Sequence, residues 1–581
     1  MPTVNTKETQ RGASLLAAIF LIVVVGFFGL IVVSLVSTQN IGSLNEIQST
    51  QAFYVAEAGL ERAISYLLGP TLAPRTTCAG LPGAATSLNP GQFQLNIEAG
   101  SPFYSAAATT IPAGGITSGQ TTIPVVSTVN YAPFGRIMID RELIDYTGTT
   151  ANSFTGALRG RDGTLAASHL AATRVGHSQC TVTSTGGVTD LTTAARGRRV
   201  ERAGIQIQEG WAVGDSPNPG NAVGGQATVL RWNGTAWTDV SGALPARANQ
   251  HLMGISMLSY ADGWAVGNTG GGGAAPCTTN RARIINWNGT LWSCNSTSPS
   301  NQNLNSVAMI SATDGWAVGA GGSTLQWDGA TWTERNGAQA YTARELHSVW
   351  ALATNEVWMT GRDENQNGKR CGNGTALILR YTGALPPTCQ NANAPARRFR
   401  SIFMLDGPDV GAGADDGWIV GDRNGGDFTI YRWDPVANQW NNQSITNGWR
   451  ERLRSVYMLD TDGDGSGDDG WAVGDVRTNG GSTRVTILRW NHLCAGGAAP
   501  GAWDICSFDP GSAASRQNLN AVSCATANDC WAVGDAGLLL HWDGAAWGVF
   551  SAGVITTRNL RSIHIIGPRG RPQAVWREVV S

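Results

Sequence analysis

Asp314-Gly315-Trp316-Ala317-Val318-Gly319, followed by Trp327-Asp328-Gly329-Ala330-Thr331-Trp332, is the stretch whose reading decides the fold. Its leading Trp, with Gly three residues on, occurs at Trp211, Trp264, Trp316, Trp358, Trp418, Trp471 and Trp531, at intervals of 53, 52, 42, 60, 53 and 60 residues. Each copy continues into a β-like run ending in an aromatic: Trp232, Trp287, Trp327, Tyr381, Trp433, Trp490 or Trp542. Six copies carry another Trp soon after, so the repeat absorbs 19 of the 22 tryptophans. An apolar strand precedes each copy, as in Leu304-Asn305-Ser306-Val307-Ala308-Met309 and Leu453-Arg454-Ser455-Val456-Tyr457-Met458.

Four short strands per unit, at a period near 50 and punctuated by Asp-Gly and Asn-Gly turns, specify a β-propeller. One such unit cannot bury both faces alone, so seven of them stack around an axis with tryptophan between neighbours. The ring needs a closing strand. Arg561 to Ile566 repeats the first-strand pattern, Ala574 to Val580 adds another strand, and Ala203 to Ile207 fits the same place in the first unit. One of these is expected to close the ring and another to join the sheet of the preceding domain. The motif set resembles the propellers of photosystem-II assembly-factor-like proteins and, more loosely, Asp-box repeats. That resemblance implies a fold and leaves function open.

Upstream, no charged residue occurs between Arg11 and Glu46. At about 1.5 Å per residue, Leu16 to Val36 is long enough to cross a hydrocarbon core about 30 Å thick. Lys7 and Arg11 precede it, which keeps the N-terminus cytoplasmic and sends the bulk of the chain outward. A secretory signal peptide has a shorter apolar core and a small-residue cleavage site beyond it. Helical patterning continues past the membrane through Ile41, Leu44, Ile47, Tyr54, Val55, Ala58, Ile64 and Leu67, and Gly69-Pro70 then stops it.

Arg11-Gly12 before Ala13-Ser14-Leu15-Leu16 resembles the leader of type IV pilins and pseudopilins. By that resemblance prepilin peptidase cuts between Gly12 and Ala13. Gln51-Ala52-Phe53-Tyr54-Val55-Ala56-Glu57-Ala58-Gly59-Leu60-Glu61 is similar to a segment of PilX-like and MshP-like minor pilins, the latter from the mannose-sensitive haemagglutinin (MSHA) pilus system. Major pilins carry Glu at the fifth mature position, which here is Ala17. A carboxylate in lipid is costly unless paired, so its absence suits a tip or initiation subunit.

Charged residues make up 14% of the 581, against about 25% in average proteins, and Gly contributes 75, which points to a strand- and loop-rich chain. Net charge is −2 with no basic block, so nucleic acid is not an expected partner. Thr122 to Val126, Arg136 to Asp140 and Glu142 to Tyr146 read as strands available to a sheet on the long helix. His169 and His177 lack metal-ligand spacing and read as structural. Asp460, Asp462, Asp464, Ser466 and Asp468 match the opening of a calcium loop, although the twelfth position is Trp471 rather than a bidentate Glu. A solvated acidic turn is the alternative there, and no other cofactor is called for. Catalysis is not expected: carboxylates such as Asp239 and Glu334 have no recognisable acid/base partner, which leaves a glycosidase the weakest reading.

The ten cysteines all lie beyond the membrane span, where oxidising conditions favour pairing. Placement along the repeat pairs Cys277 with Cys294, Cys371 with Cys389, Cys494 with Cys506 and Cys524 with Cys530, leaving Cys78 with Cys180. Segments 215–227, 268–282, 362–376, 422–428 and 475–484 read as long second-to-third loops crowding one face, the expected binding face. The expected organisation is a leader over 1–12, a transmembrane and amphipathic pilin-like helix over 13–68, a β-rich pilin-like or linker region over 69–202, and a seven-bladed propeller over 203–581. The fold class is therefore mainly β. The implied role is a minor pilin or pseudopilin-like subunit, anchored in the inner membrane, that displays the propeller outside the cell for adhesion or pilus assembly. Its partners would be the membrane, prepilin peptidase, other pilins, and a surface glycan or protein. The alternative is a bitopic envelope protein whose propeller assists assembly of a membrane complex.

Overall fold

In the computed structural model, the described residues are 10–68, 83–89, 91–97, 109–129, 131, 135–139, 142–160, 166, 168–169, 171, 173–177, 180–188, 198–205, 209–216, 226–232, 236–245, 250–259, 262–269, 282–289, 291–295, 300–335, 345–362, 376–390, 398–406, 416–424, 427–445, 451–460, 465–479, 482–494, 498–566 and 577–579. One uninterrupted helix, Gln10–Leu68, opens the chain. Within it Ala18–Val36 is long and apolar enough to cross a membrane and is not covered by any other described residue. The second half behaves differently. Ala52, Val55, Ala56, Leu60 and Ala63 are at most 2% exposed, a stripe with helical spacing that needs a partner surface.

That partner is a five-stranded antiparallel sheet in the order Thr86–Leu88, Gly91–Ile97, Cys180–Gly187, Arg198–Ile205 and Arg577–Val579. Phe93 and Leu95, alternating with Gln92 and Gln94, are buried, as the period of two requires when one sheet face is covered. Helix and sheet approach so closely that a Cβ on Gly186 would meet the backbone of Ala52 and Ala56. A Cβ on Gly59 would likewise meet the Ser184 hydroxyl and the Phe93 ring. Small residues on both surfaces thus set the packing distance.

The strands expected from Thr122–Val126, Arg136–Asp140 and Glu142–Tyr146 do not join this sheet. They form a small β unit inserted between its strands, with sheet orders Thr109–Thr110, Arg174–His177, Gly135–Ile139, Glu142–Tyr146 and Ile123–Pro124, Ser153–Thr155, Gly148–Thr150. The reason is local: Ile123, Ile137, Ile139, Ile144, Phe154 and Val175 make a core of their own. His169 is buried beside this core. Its Nε2 lies 2.8 Å from buried Glu142, which also accepts two bonds of 2.7 Å from Arg159.

Seven further four-stranded antiparallel sheets form the propeller. Their first, innermost strands are Leu560–Ile566 in blade one, then Gln250–Ser259, Leu304–Ser311, Leu346–Ala353, Phe399–Leu405, Leu453–Leu459 and Leu519–Thr526 in blades two to seven. The ring is closed by Leu560–Ile566, which pairs antiparallel with Glu209–Gly214. The segment around Ala203 and the final strand Arg577–Val579 instead pair with each other in the sheet on the helix. The propeller is therefore inserted between two neighbouring strands of that sheet.

Each second-strand Trp packs on the third-strand aromatic of the next blade: Trp211 on Trp287 at 4.8 Å, Trp358 on Trp433 at 4.9 Å, and, across the closure, Trp531 on Trp232 at 4.7 Å between ring centroids. Such pairs contribute about 0.5–1.5 kcal/mol beyond their area. Sequence reading missed what supports them. The residue opening the second strand is acidic in every blade, and in blades one and four to six it pairs with a third-strand arginine that covers the Trp. Glu356 holds Arg380 at 2.9 Å, Asp469 holds Arg489 at 2.7 Å, and both guanidinium groups sit 5.0 Å above the adjacent Trp ring.

Candidate functional site

The seven inner strands surround an axial lumen of about 270 Å³. Adjacent inner strands are not paired by a backbone ladder, and a belt of side chains links them instead. In blades three to six the third residue of the L-x-S-V pattern does this. Ser306 accepts the N–H of Val349, Ser348 that of Ile402, Ser401 that of Val456, and Ser455 that of Val522, each at 3.3 Å. In blades seven, one and two the third residue is Ala521, Ser562 or Gly254, and the fifth takes over. Ser523 accepts from Ile565 at 3.1 Å, His564 Nδ1 from Met257 at 3.4 Å, and Ser256 from Met309 at 3.1 Å.

This change of level has a consequence for the lining. Where the third residue carries the belt, the fifth is released, and in blades four to six it is Trp350, Phe403 and Tyr457. Their rings run in a chain, Trp350 to Phe403 at 4.1 Å and Phe403 to Tyr457 at 4.8 Å. At the same level in blades seven, one and two stand Ser523, His564 and Ser256, with Ala308 of blade three between the two halves. The lumen is thus aromatic on one side and polar on the other, and among the described residues no carboxylate, ammonium or guanidinium lines it.

At the end of the blades where inner strands begin, arginines in the second position meet the Asp that follows the second-strand Gly. Arg400 bonds Asp422, Arg454 bonds Asp475, and Arg561 bonds Asp215. Burial pushes the Asp215 carboxyl up, but hydrogen bonds from His251, Arg561 and Asn559 outweigh it and hold the group below the usual range. On the opposite end, burial raises Glu209 to about 7 in spite of its pairing with Arg231.

The sequence-nominated sites are dispersed. Gly12 and Ala13 lie within the long helix. Of the calcium candidates, Asp462 and Asp464 fall outside the described residues, whereas Asp460 accepts the Gly465 N–H at 3.0 Å and Ser466 and Asp468 follow in the same turn. Cys494 is bonded to Cys506 and Cys524 to Cys530, with Cα atoms 5.2 and 4.0 Å apart. Cys294 and Cys389 are each in a disulfide. Cys277, Cys371 and Cys78 lie outside the described residues, and Cys180 opens a strand of the sheet on the helix. Asp239 and Glu334 stand on the outer strands of blades one and three and are not brought together.

Two of the five expected long loops are largely strand. Asp469–Asn479 and Ser482–His492 pair antiparallel as far as Asn479 and Ser482, with Arg477 opposite Arg484 and Asn479 opposite Ser482. Likewise Asn424 pairs with Asp427 across 422–428. β-Branched Val476, Thr478, Thr483 and Val485 favour the extended form. The other three segments, 215–227, 268–282 and 362–376, fall mostly outside the described residues.

No family model matches this chain, and no curated protein matches it. Among solved structures it is similar to YCF48 bound to D1 peptide, with 17% identity over 55% of this chain and 93% of that one and a TM-score of 0.34. It is also similar to YCF48 from Cyanidioschyzon merolae, with 13% identity over 54% and 89% of the two chains and a TM-score of 0.35. The WD40 repeats of RRP9 are similar at 9% identity over 55% and 85%, with a TM-score of 0.36.

Proposed function

We propose that this chain is a pilin-like minor subunit, held in the inner membrane by its first helix half and carrying the propeller outward for adhesion or pilus assembly. The observation that supports this is the division of labour along one unbroken helix. Ala18–Val36 is bare and apolar, while the stripe from Ala52 to Ala63 is buried on an antiparallel sheet. A membrane anchor alone needs no such sheet. A subunit that packs its apolar half among other pilin helices, and holds a head domain rigidly beyond them, needs both. The propeller enters and leaves through adjacent strands of that sheet, which suits a head that must transmit load to its stalk.

In this reading prepilin peptidase cuts between Gly12 and Ala13, the mature chain lacks a fifth-position Glu and sits at a tip, and the propeller binds a protein or glycan without catalysis. Mass spectrometry of the mature N-terminus, in cells with and without prepilin peptidase, tests it. A chain beginning at Ala13 only where the peptidase is active is the expected result. An uncut Met1 or Pro2 in both strains would overturn the pilin assignment and leave a bitopic envelope protein.

A further inference from the structure

We infer that the axial lumen of the propeller is a binding site for a small carboxylate attached to an aromatic or other apolar body. The inference is independent of the pilin reading, since it concerns the propeller alone.

A serine hydroxyl has one hydrogen and two lone pairs. Ser523 and Ser256 each spend one lone pair on the backbone N–H of the next blade. Among the described residues neither hydroxyl donates to a protein acceptor, so each retains a proton to give. Both side chains are 3% exposed, and a buried hydroxyl proton without an acceptor costs about 1–3 kcal/mol. Between them, His564 accepts the Met257 N–H at Nδ1, which in the neutral ring places its proton on Nε2. Ser523 and Ser256 therefore each present a hydroxyl donor at one level of the lumen, with the His564 ring between them.

Facing them are Trp350, Phe403 and Tyr457, in a wall of three aromatic rings. An occupant suited to both halves has an acceptor-only head and a flat apolar body. A carboxylate fits the head, because it accepts from several hydroxyls at once and brings no donor that would need a partner. Among the described residues no carboxylate lines the cavity to neutralise a cation. At about 270 Å³ the lumen lies just below the usual range of about 300–1,000 Å³ for ligand pockets, which limits the body to one ring or its equivalent.

The belt explains why the two halves differ. All seven linking bonds could be made at the third position, as blades three to six make them. Shifting the bond to the fifth position in blades seven, one and two preserves the bond and moves its hydroxyl to the level of the aromatic wall.

The test uses the full chain purified in detergent, titrated with benzoate, benzamide and benzylamine by saturation-transfer NMR and calorimetry. Benzoate is expected to bind at least tenfold more tightly than benzamide, with benzylamine silent. The double variant Ser256→Ala/Ser523→Ala should lose at least tenfold for benzoate and little for benzamide. Trp350→Ala should weaken both. His564→Gln keeps an acceptor for the Met257 N–H, so it should fold and retain part of the preference, which separates ligand contact from loss of the belt. N-acetylphenylalanine distinguishes the source: tighter binding than benzoate points to a polypeptide C-terminus, and weaker binding to a free acid. Equal affinities for benzoate and benzamide, or no binding of benzoate at about 10 mM by a chain that melts normally, would overturn the inference.

Discussion

Removing everything after Gly553 tests ring closure directly. The deletion takes away Leu560, Ile563 and Ile565, which are 0%, 7% and 4% exposed. Burial of each such side chain stabilises by about 1.5–3 kcal/mol, so the three together contribute roughly 5–9 kcal/mol, against a net stability of about 5–15 kcal/mol for a whole domain. The deletion also strips the pairing partner of Glu209–Gly214. Two belt bonds go with it, Ile565 to Ser523 and Met257 to His564. The expected result is loss of a cooperative transition for the propeller rather than a shifted one. Ile563→Ala grades the effect, at about 2–5 kcal/mol, and Val554→Ala is the control, because Val554 is 86% exposed. Near-UV circular dichroism, dominated by the tryptophan clusters, follows the melt. If the truncated chain melts like the full one, or Ile563→Ala behaves like Val554→Ala, the C-terminal strand does not hold the ring.

Gly186→Val should drive a side chain into the backbone of Ala52 and Ala56, costing about 1–3 kcal/mol; limited proteolysis should then release the helix from its sheet while the propeller melt is unchanged. Glu209, raised by burial to about 7 from an ordinary 4.5, contributes stability that is complete below pH 4.5 and lost as pH rises through 7. Wild type should therefore lose up to about 3 kcal/mol relative to Glu209→Gln between pH 5 and 8, and parallel pH profiles in chemical denaturation would contradict this. Non-reducing peptide mapping should recover Cys277 with Cys294, Cys371 with Cys389 and Cys78 with Cys180, and any other partner for Cys294 or Cys389 would break the placement argument. Calorimetry of the full chain with millimolar calcium should show heat that Asp460→Asn/Asp464→Asn abolishes; silence in the wild type would remove the calcium loop.

The blades, their number and their tryptophan seams were legible in the sequence because they rest on local rules. A four-strand unit has a period, and Trp264, Trp316 and Trp471 recur at fixed places within it. The apolar half of the helix, Ala18–Val36, long enough to cross a membrane, was legible for the same reason, since an uncharged apolar run needs no partner to be recognised. What tertiary structure decided is everything set by residues far apart in the chain. Asp215 and Arg561, 346 positions apart, meet only because Leu560–Ile566 closes the ring; the Ala203 segment carries an equally suitable local pattern and was drawn instead to the sheet on the helix. The insertion at 109–177 diverted its strands because it could bury Ile137, Ile144 and Phe154 without the helix. The lumen was the least visible feature. Trp350 was one of three tryptophans outside the repeat, and that was its only signal. Ser256, Ser523 and His564 sit at an unremarked fifth position of an ordinary strand, and their chemistry arises only when seven such strands face one axis and the belt changes level between them.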